Sequence, residues 1–194
     1  SEESFLGYWG RGFSNGGNMA VLLKDLFLSA RILIGIREQA DWLLSLYKYC
    51  SEGDVQRLFA VGSPQEFFYL NAEQFVWKLN RYAPTHTYCW VNWYQHYRKF
   101  THLFGADNVL VLPFEMLQSD VNGAEAILTE FLEQAVAIAP IVHEVVNPSE
   151  PKSVFATADE YEKFVNHVKS LNEESNRALD RAISEIDFKD LGYY

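Results

Sequence analysis

With 194 residues, 22% of them charged and 15% aromatic, the chain has the size and composition of one globular domain with a real core, not of a disordered segment. Its formal net charge of -10 argues against a nucleic-acid backbone as the main partner, although local arginines and helix N-termini still permit an anionic nucleotide. Cys50 and Cys89 show no metal-ligand spacing, no apolar run reaches the length of a membrane span and no signal peptide opens the sequence, so a cytoplasmic protein is expected.

Ser1 to Gly17, SEESFLGYWGRGFSNGG, is rich in glycine and aromatics without periodicity and reads as a loop at the ligand-binding edge of a sheet. Tyr8, Trp9 and Phe13 in it are suited either to stacking on a ligand or to covering the core. From Asn18 to Leu28, Met19, Ala20, Leu22, Leu23, Leu26 and Phe27 recur at helical spacing, and this stripe is expected to be core. Ile32 to Ile36 is a short β-branched run, expected to be a strand buried on both faces of a parallel sheet. Arg37 then stands at the strand's carboxyl end, where open α/β sheets bind their ligands. A helical pattern follows, with Trp42, Leu43, Leu46 and Tyr47 on one stripe and Ser45 about two turns in. A strand-end cation with a hydroxyl folded back beside it makes a phosphate site, whereas the plainer reading is a surface ion pair and a solvated serine.

Ser51 to Gly62 reads as a loop with a short helical piece, and Pro64 suits the first turn of a helix that turns some combination of Phe67, Phe68, Leu70, Phe75, Val76 and Leu79 inward. Tyr82 to Tyr88 breaks that helix at Pro84 and carries His86 in a loop. Cys89 to Phe104 is an aromatic helix with Trp90, Trp93, Tyr94, Tyr97 and Phe100 as a core stripe, its first turn free to line a cleft. Phe104 and Gly105 end it, Asn108 to Leu112 is a second buried strand, and Glu115 follows at that strand's carboxyl edge. Asp120 to Leu132 is a further amphipathic helix, Val136 to Val142 an apolar linker, Asn147 to Ser153 a turn-rich loop with Lys152, and Thr157 to Ser184 is helical.

Arg37, Ser45 and Tyr47 in IREQADWLLSLY resemble the second nucleotide-binding motif of the sulfotransferases, many of which read R-x-P-x-x-R-x-x-S-x-Y. The chain keeps the Arg–Ser–Tyr spacing but has Gln39 for the proline and Trp42 for the second arginine. FGADNVLVLPFEML (Phe104 to Leu117) and the closing SNRALDRAISEIDFKDLGYY are similar to further segments of that family, so the resemblance covers residues 1–194 as one sulfotransferase-like domain. The I-R-E-Q form is most similar to a bacterial branch related to the carbohydrate sulfotransferases.

The resemblance implies an α/β, P-loop-NTPase-like fold, with a mostly parallel sheet flanked by helices and a helix-rich C-terminal half. It implies transfer of a sulfuryl group from 3'-phosphoadenosine 5'-phosphosulfate (PAPS) to an acceptor hydroxyl, with adenosine 3',5'-bisphosphate (PAP) as product and no metal. Arg37 and Ser45 would hold the 3'-phosphate. Many members also place a basic loop late in the chain over it, but here that segment is short and has only Lys152, so the closing loop is reduced or different, with Lys152 as its candidate phosphate ligand. Glu3, with Glu2 as second candidate, would be the catalytic base. The acceptor, a carbohydrate or glycolipid, would meet Trp9, Phe13, His86 and Trp90. Glu115 would be structural and the final Gly-Tyr-Tyr would dock on the domain. The family's first motif, a strand, a P-K-S-G-T-like loop and a helix, is not found in the sequence and is expected upstream of Ser1. Two other readings compete with this one. One is a non-catalytic domain that keeps the fold to bind a partner. The other is a different P-loop transferase such as a small-molecule kinase, which normally needs a Walker loop and acidic magnesium ligands, and neither is seen.

Overall fold

Strand β1 (Ile32–Ile36) and strand β2 (Val109–Pro113) run parallel, with Ile32 opposite Val109, Ile34 opposite Val111 and Ile36 opposite Pro113. Parallel neighbours require a crossover, and the chain between them supplies helices for it. The structure is a computed structural model that describes residues 16–51, 92–138, 155 and 157–194, without the side chains of 16–19 and 46–51. The helix expected after Pro64 and the loops expected at 82–88 and 147–153 lie outside the described residues, as do those expected at 1–17 and 51–62 except for Gly16, Gly17 and Ser51, which are helical and not loop.

Helix α1 (Gly16–Leu26) precedes β1 and α2 (Gln39–Ser51) follows it. Helix α3 (Trp93–Phe104) and a single 3-10 turn lead into β2, which is followed by α4 (Phe114–Ser119), α5 (Val121–Leu132) and the long α6 (Ala158–Ala182). Local chemistry sets these boundaries. The Asn92 side chain caps α3 by accepting the Gln95 N–H, and Gly105, at φ 88°, takes the left-handed turn that ends it. Asp120 accepts the Gly123 N–H and so separates α4 from α5. Thr157 and Glu160 form a reciprocal capping box at the start of α6.

The main core lies on one face of the sheet. Ile34, Ile36, Val109 and Val111 meet Trp93, Phe100 and Phe104 of α3, Phe164, Val168 and Leu179 of α6, and the C-terminal Phe188 and Tyr193. On the opposite face, Leu110 and Leu112 of β2 pack with Ala124 and Leu128 of α5. That cover stops at β2: Leu33 of β1 is 50% exposed and Gly35 is exposed, so β1 is buried on one face where both were expected. The stripe on α1 departs from expectation in the same way. Ala20 is buried and Leu23 touches the core, but Leu22, Leu26 and Phe27 are exposed.

Among the described residues no helix is long and apolar enough to cross a membrane.

Phe188, fully buried with its ring edge-on to Tyr193 at 5.4 Å, and Leu26, 71% exposed, test where the core sits. Denaturant unfolding should show Phe188→Ala losing about 3–5 kcal/mol and Leu26→Ala staying within about 0.5 kcal/mol of the parent. Equal losses in the two variants would contradict this placement.

Candidate functional site

Three consecutive residues after β1 are each fixed by a different helix. The Arg37 carbonyl accepts the Trp93 Nε1–H of α3 at 2.9 Å. The Glu38 backbone N–H donates to Glu115 Oε1 of α4 at 2.8 Å. The Gln39 side chain exchanges two hydrogen bonds with Asn176 of α6, at 2.7 and 3.0 Å. Gln39 and Asn176 are buried, and such reciprocal amides satisfy each other in a dry interior. Two further bonds bring in the C-terminus: Asn176 Nδ2 donates to the Tyr193 carbonyl at 2.7 Å, and the Tyr193 hydroxyl donates to Glu115 Oε2 at 2.8 Å.

The backbone is therefore held while the Arg37 side chain remains accessible. Its side chain is 29% exposed, its guanidinium lies 5.6 Å from the centre of the Phe114 ring, and among the described residues it pairs with Asp41 at 3.5 Å. That pair is long, and Asp41 is itself 42% exposed, so it costs little to exchange for another anion. Asp41 and Ser45 stand four residues apart on α2 and thus share one face of the helix. Ser45 is half-buried one turn beyond the residue that Arg37 touches, about 5.4 Å along the axis. A guanidinium, a helical hydroxyl on the same side and a helix N-terminus are together suited to a phosphate group.

Glu38 caps α2, its Oε2 accepting the Asp41 N–H at 2.9 Å. Its Oε1 is buried and has no hydrogen-bond partner among the described residues. Burial lifts the Glu38 carboxyl above its ordinary 4.5, against the helix N–H groups of Asp41 and Ala40 and the charge of Lys169, which favour the ionised form. Burial, followed by the neighbouring Glu115, pushes the Tyr193 phenol far upward, so it stays a donor.

Of the residues singled out in the sequence, the structure brings Arg37 and Ser45 to one side of α2. Glu2, Glu3, Trp9, Phe13, His86, Trp90 and Lys152 lie outside the described residues. Trp42, where the motif has a second arginine, sets its ring edge-on to Trp93 at 6.1 Å. Gln39, where the motif has proline, begins α2, the position at which proline is favoured; a side-chain bond to α6 here fixes what a pyrrolidine ring would stiffen. The parts of the site that sequence reasoning missed are Gln39, Asn176 and the Tyr193 hydroxyl. One signal was present for Asn176: with Phe164, Val168, Asn172 and Leu179 it repeats at three or four residues, a polar group in an apolar stripe. Among the described residues, no three His, Cys, Asp or Glu side chains gather as metal ligands.

No protein-family model matches the chain and no curated protein matches it. A solved structure does: the crystal structure of a sulfotransferase from Alicyclobacillus acidocaldarius aligns with 90% of this chain at a TM-score of 0.58. This chain shares its fold with that structure. Sequence identity between the two is 17%, and the chain spans 62% of the length of that structure. The mixture of helices around a small parallel sheet is what the two share.

A raised Glu38 pKa means that the folded state favours its neutral form, so its contribution to stability is full below about pH 4.5 and lost as pH rises through the raised value. Glu38→Gln should therefore gain in Tm over the parent as pH rises from about 4 to about 7, measured by thermal unfolding. A difference that stays flat or shrinks over that range would contradict the burial of this carboxyl.

Proposed function

We propose that this chain forms a sulfotransferase domain of the P-loop-NTPase-like type, residues 1–194, that moves a sulfuryl group from PAPS to an acceptor hydroxyl. The observation that carries the proposal is the row of Arg37, Asp41 and Ser45 at the carboxyl end of a parallel strand, on a fold shared with a sulfotransferase. The fit to a 3'-phosphate rests on the state of the carboxylates around Arg37. Glu115 is engaged by a backbone N–H and a tyrosine, Glu38 caps a helix, and among the described carboxylates the loosely held Asp41 is the one that bonds the guanidinium. Arg37 can then accept a bidentate phosphate with the Ser45 hydroxyl beside it.

In the reaction the acceptor oxygen attacks sulfur, the bond from sulfur to the bridging phosphate oxygen breaks, and that oxygen leaves with the electron pair on PAP. The acceptor's proton passes to Glu3, or to Glu2. Positioning and charge stabilisation carry transfers of this kind, and no metal is assigned a part. Lys152 closes over the phosphate. Trp9, Phe13, His86 and Trp90 meet the acceptor, for which a carbohydrate or glycolipid is preferred on the strength of the bacterial branch that the I-R-E-Q motif resembles.

Calorimetric titration of PAP into the protein tests the donor site. Arg37→Ala should weaken binding by about tenfold to a hundredfold, the loss expected for a hydrogen-bonded charge, and Ser45→Ala by less, about threefold to tenfold. Unchanged affinity in Arg37→Ala would overturn the assignment.

A further inference from the structure

Glu115 poses a problem for any anion site built on Arg37. It follows Phe114, whose ring lies 5.6 Å from the Arg37 guanidinium, and it is only half-buried. A carboxylate so placed would ordinarily pair with the arginine and compete with an incoming phosphate. In this structure both its oxygens are occupied elsewhere. Oε1 takes the Glu38 backbone N–H at 2.8 Å and Oε2 takes the Tyr193 hydroxyl at 2.8 Å. The first bond comes from the backbone and survives any side-chain change. The second depends on one side-chain hydroxyl, that of Tyr193.

We infer that Tyr193 is a positioning residue for the phosphate site: its hydroxyl holds Glu115 away from Arg37 and so leaves the guanidinium free to take a 3'-phosphate. The inference rests on the proposed reading of Arg37 as that phosphate's ligand. Tyr193 is built for a fixed role. Its ring is fully buried and edge-on to Phe188 at 5.4 Å, and its carbonyl is held by Asn176 at 2.7 Å. The same Asn176 binds Gln39, so the residue that places the hydroxyl also anchors the turn that carries Arg37. The charge of Arg37 is felt at the phenol, which puts Tyr193, Glu115 and Arg37 in one electrostatic neighbourhood.

Two nucleotides separate this role from general structural support. PAP and adenosine 5'-phosphate differ by the 3'-phosphate alone, so the ratio of their Kd values isolates what that phosphate contributes. The wild-type protein should prefer PAP, and Arg37→Ala should cut the preference about tenfold to a hundredfold. Tyr193→Phe, which keeps the ring, should cut the preference about tenfold while leaving the affinity for adenosine 5'-phosphate unchanged. Replacing Glu115 by Gln in the Tyr193→Phe background removes the competing charge and should restore the preference. Retention of the full preference in Tyr193→Phe, equal weakening of both nucleotides, or no restoration by Glu115→Gln would each overturn the inference while leaving the site intact. A wild-type protein that does not distinguish the two nucleotides would overturn the reading of the site itself.

Discussion

The hydrogen bond from the Glu38 N–H to Glu115, 2.8 Å long, joins the carboxyl ends of the two strands. Pairing of β1 with β2 ends at Ile36 and Pro113, so beyond that point nothing in the sheet itself sets the path of the chain. The side chain of Glu115 continues the connection where the ladder stops. Around it the Trp93 bond to Arg37 and the Asn176 bond to Gln39 come from α3 and α6, two helices that also pack against each other. Buried, mutually satisfied polar groups of this kind fix one geometry, because an alternative arrangement leaves a polar atom dry and unpaired. The turn is thereby specified more tightly than the helix that follows it would require.

This arrangement also answers how an acidic chain, with a formal net charge of -10, can present a cation. At the strand end Arg37 stands among the carboxylates of Glu38, Asp41 and Glu115. Each carboxylate has a separate occupation. Glu38 sits at the positive end of α2, Glu115 bridges a backbone donor and a phenol, and Asp41 is left as a long, exposed partner. Local hydrogen bonding, not overall charge, decides what Arg37 can bind.

Much of the scaffold was legible from periodicity. The apolar runs expected at 32–36 and 108–112, the aromatic spacing of α3 and the helical patterns from Asp120 and from Thr157 are all local signals, and local signals survive in a sequence. Burial was less legible because it depends on partners. Leu33 and Leu22 are as apolar as Ile34 and Leu23, yet they lie on faces that the described elements do not cover. The site divides in the same way. Arg37 and Ser45 could be picked out by their spacing and by the resemblance it carries. Gln39 and Asn176 pair across 137 positions, and Glu115 and Tyr193 across 78, and no pattern within a single sequence encodes such distant pairing. Gln39 stood out only as a departure from the expected proline, and its bond to α6 gives that departure a structural reason.

The central claim is that a clamped turn at the end of β1 offers Arg37 to the 3'-phosphate of a nucleotide. A crystal structure of the protein with PAP bound tests it most directly. The account predicts the 3'-phosphate within about 2.7–3.2 Å of both the Arg37 guanidinium and the Ser45 hydroxyl, with the Asp41 contact given up and Glu115 still on Glu38 and Tyr193. A nucleotide seated elsewhere, with Arg37 still on Asp41, would contradict it.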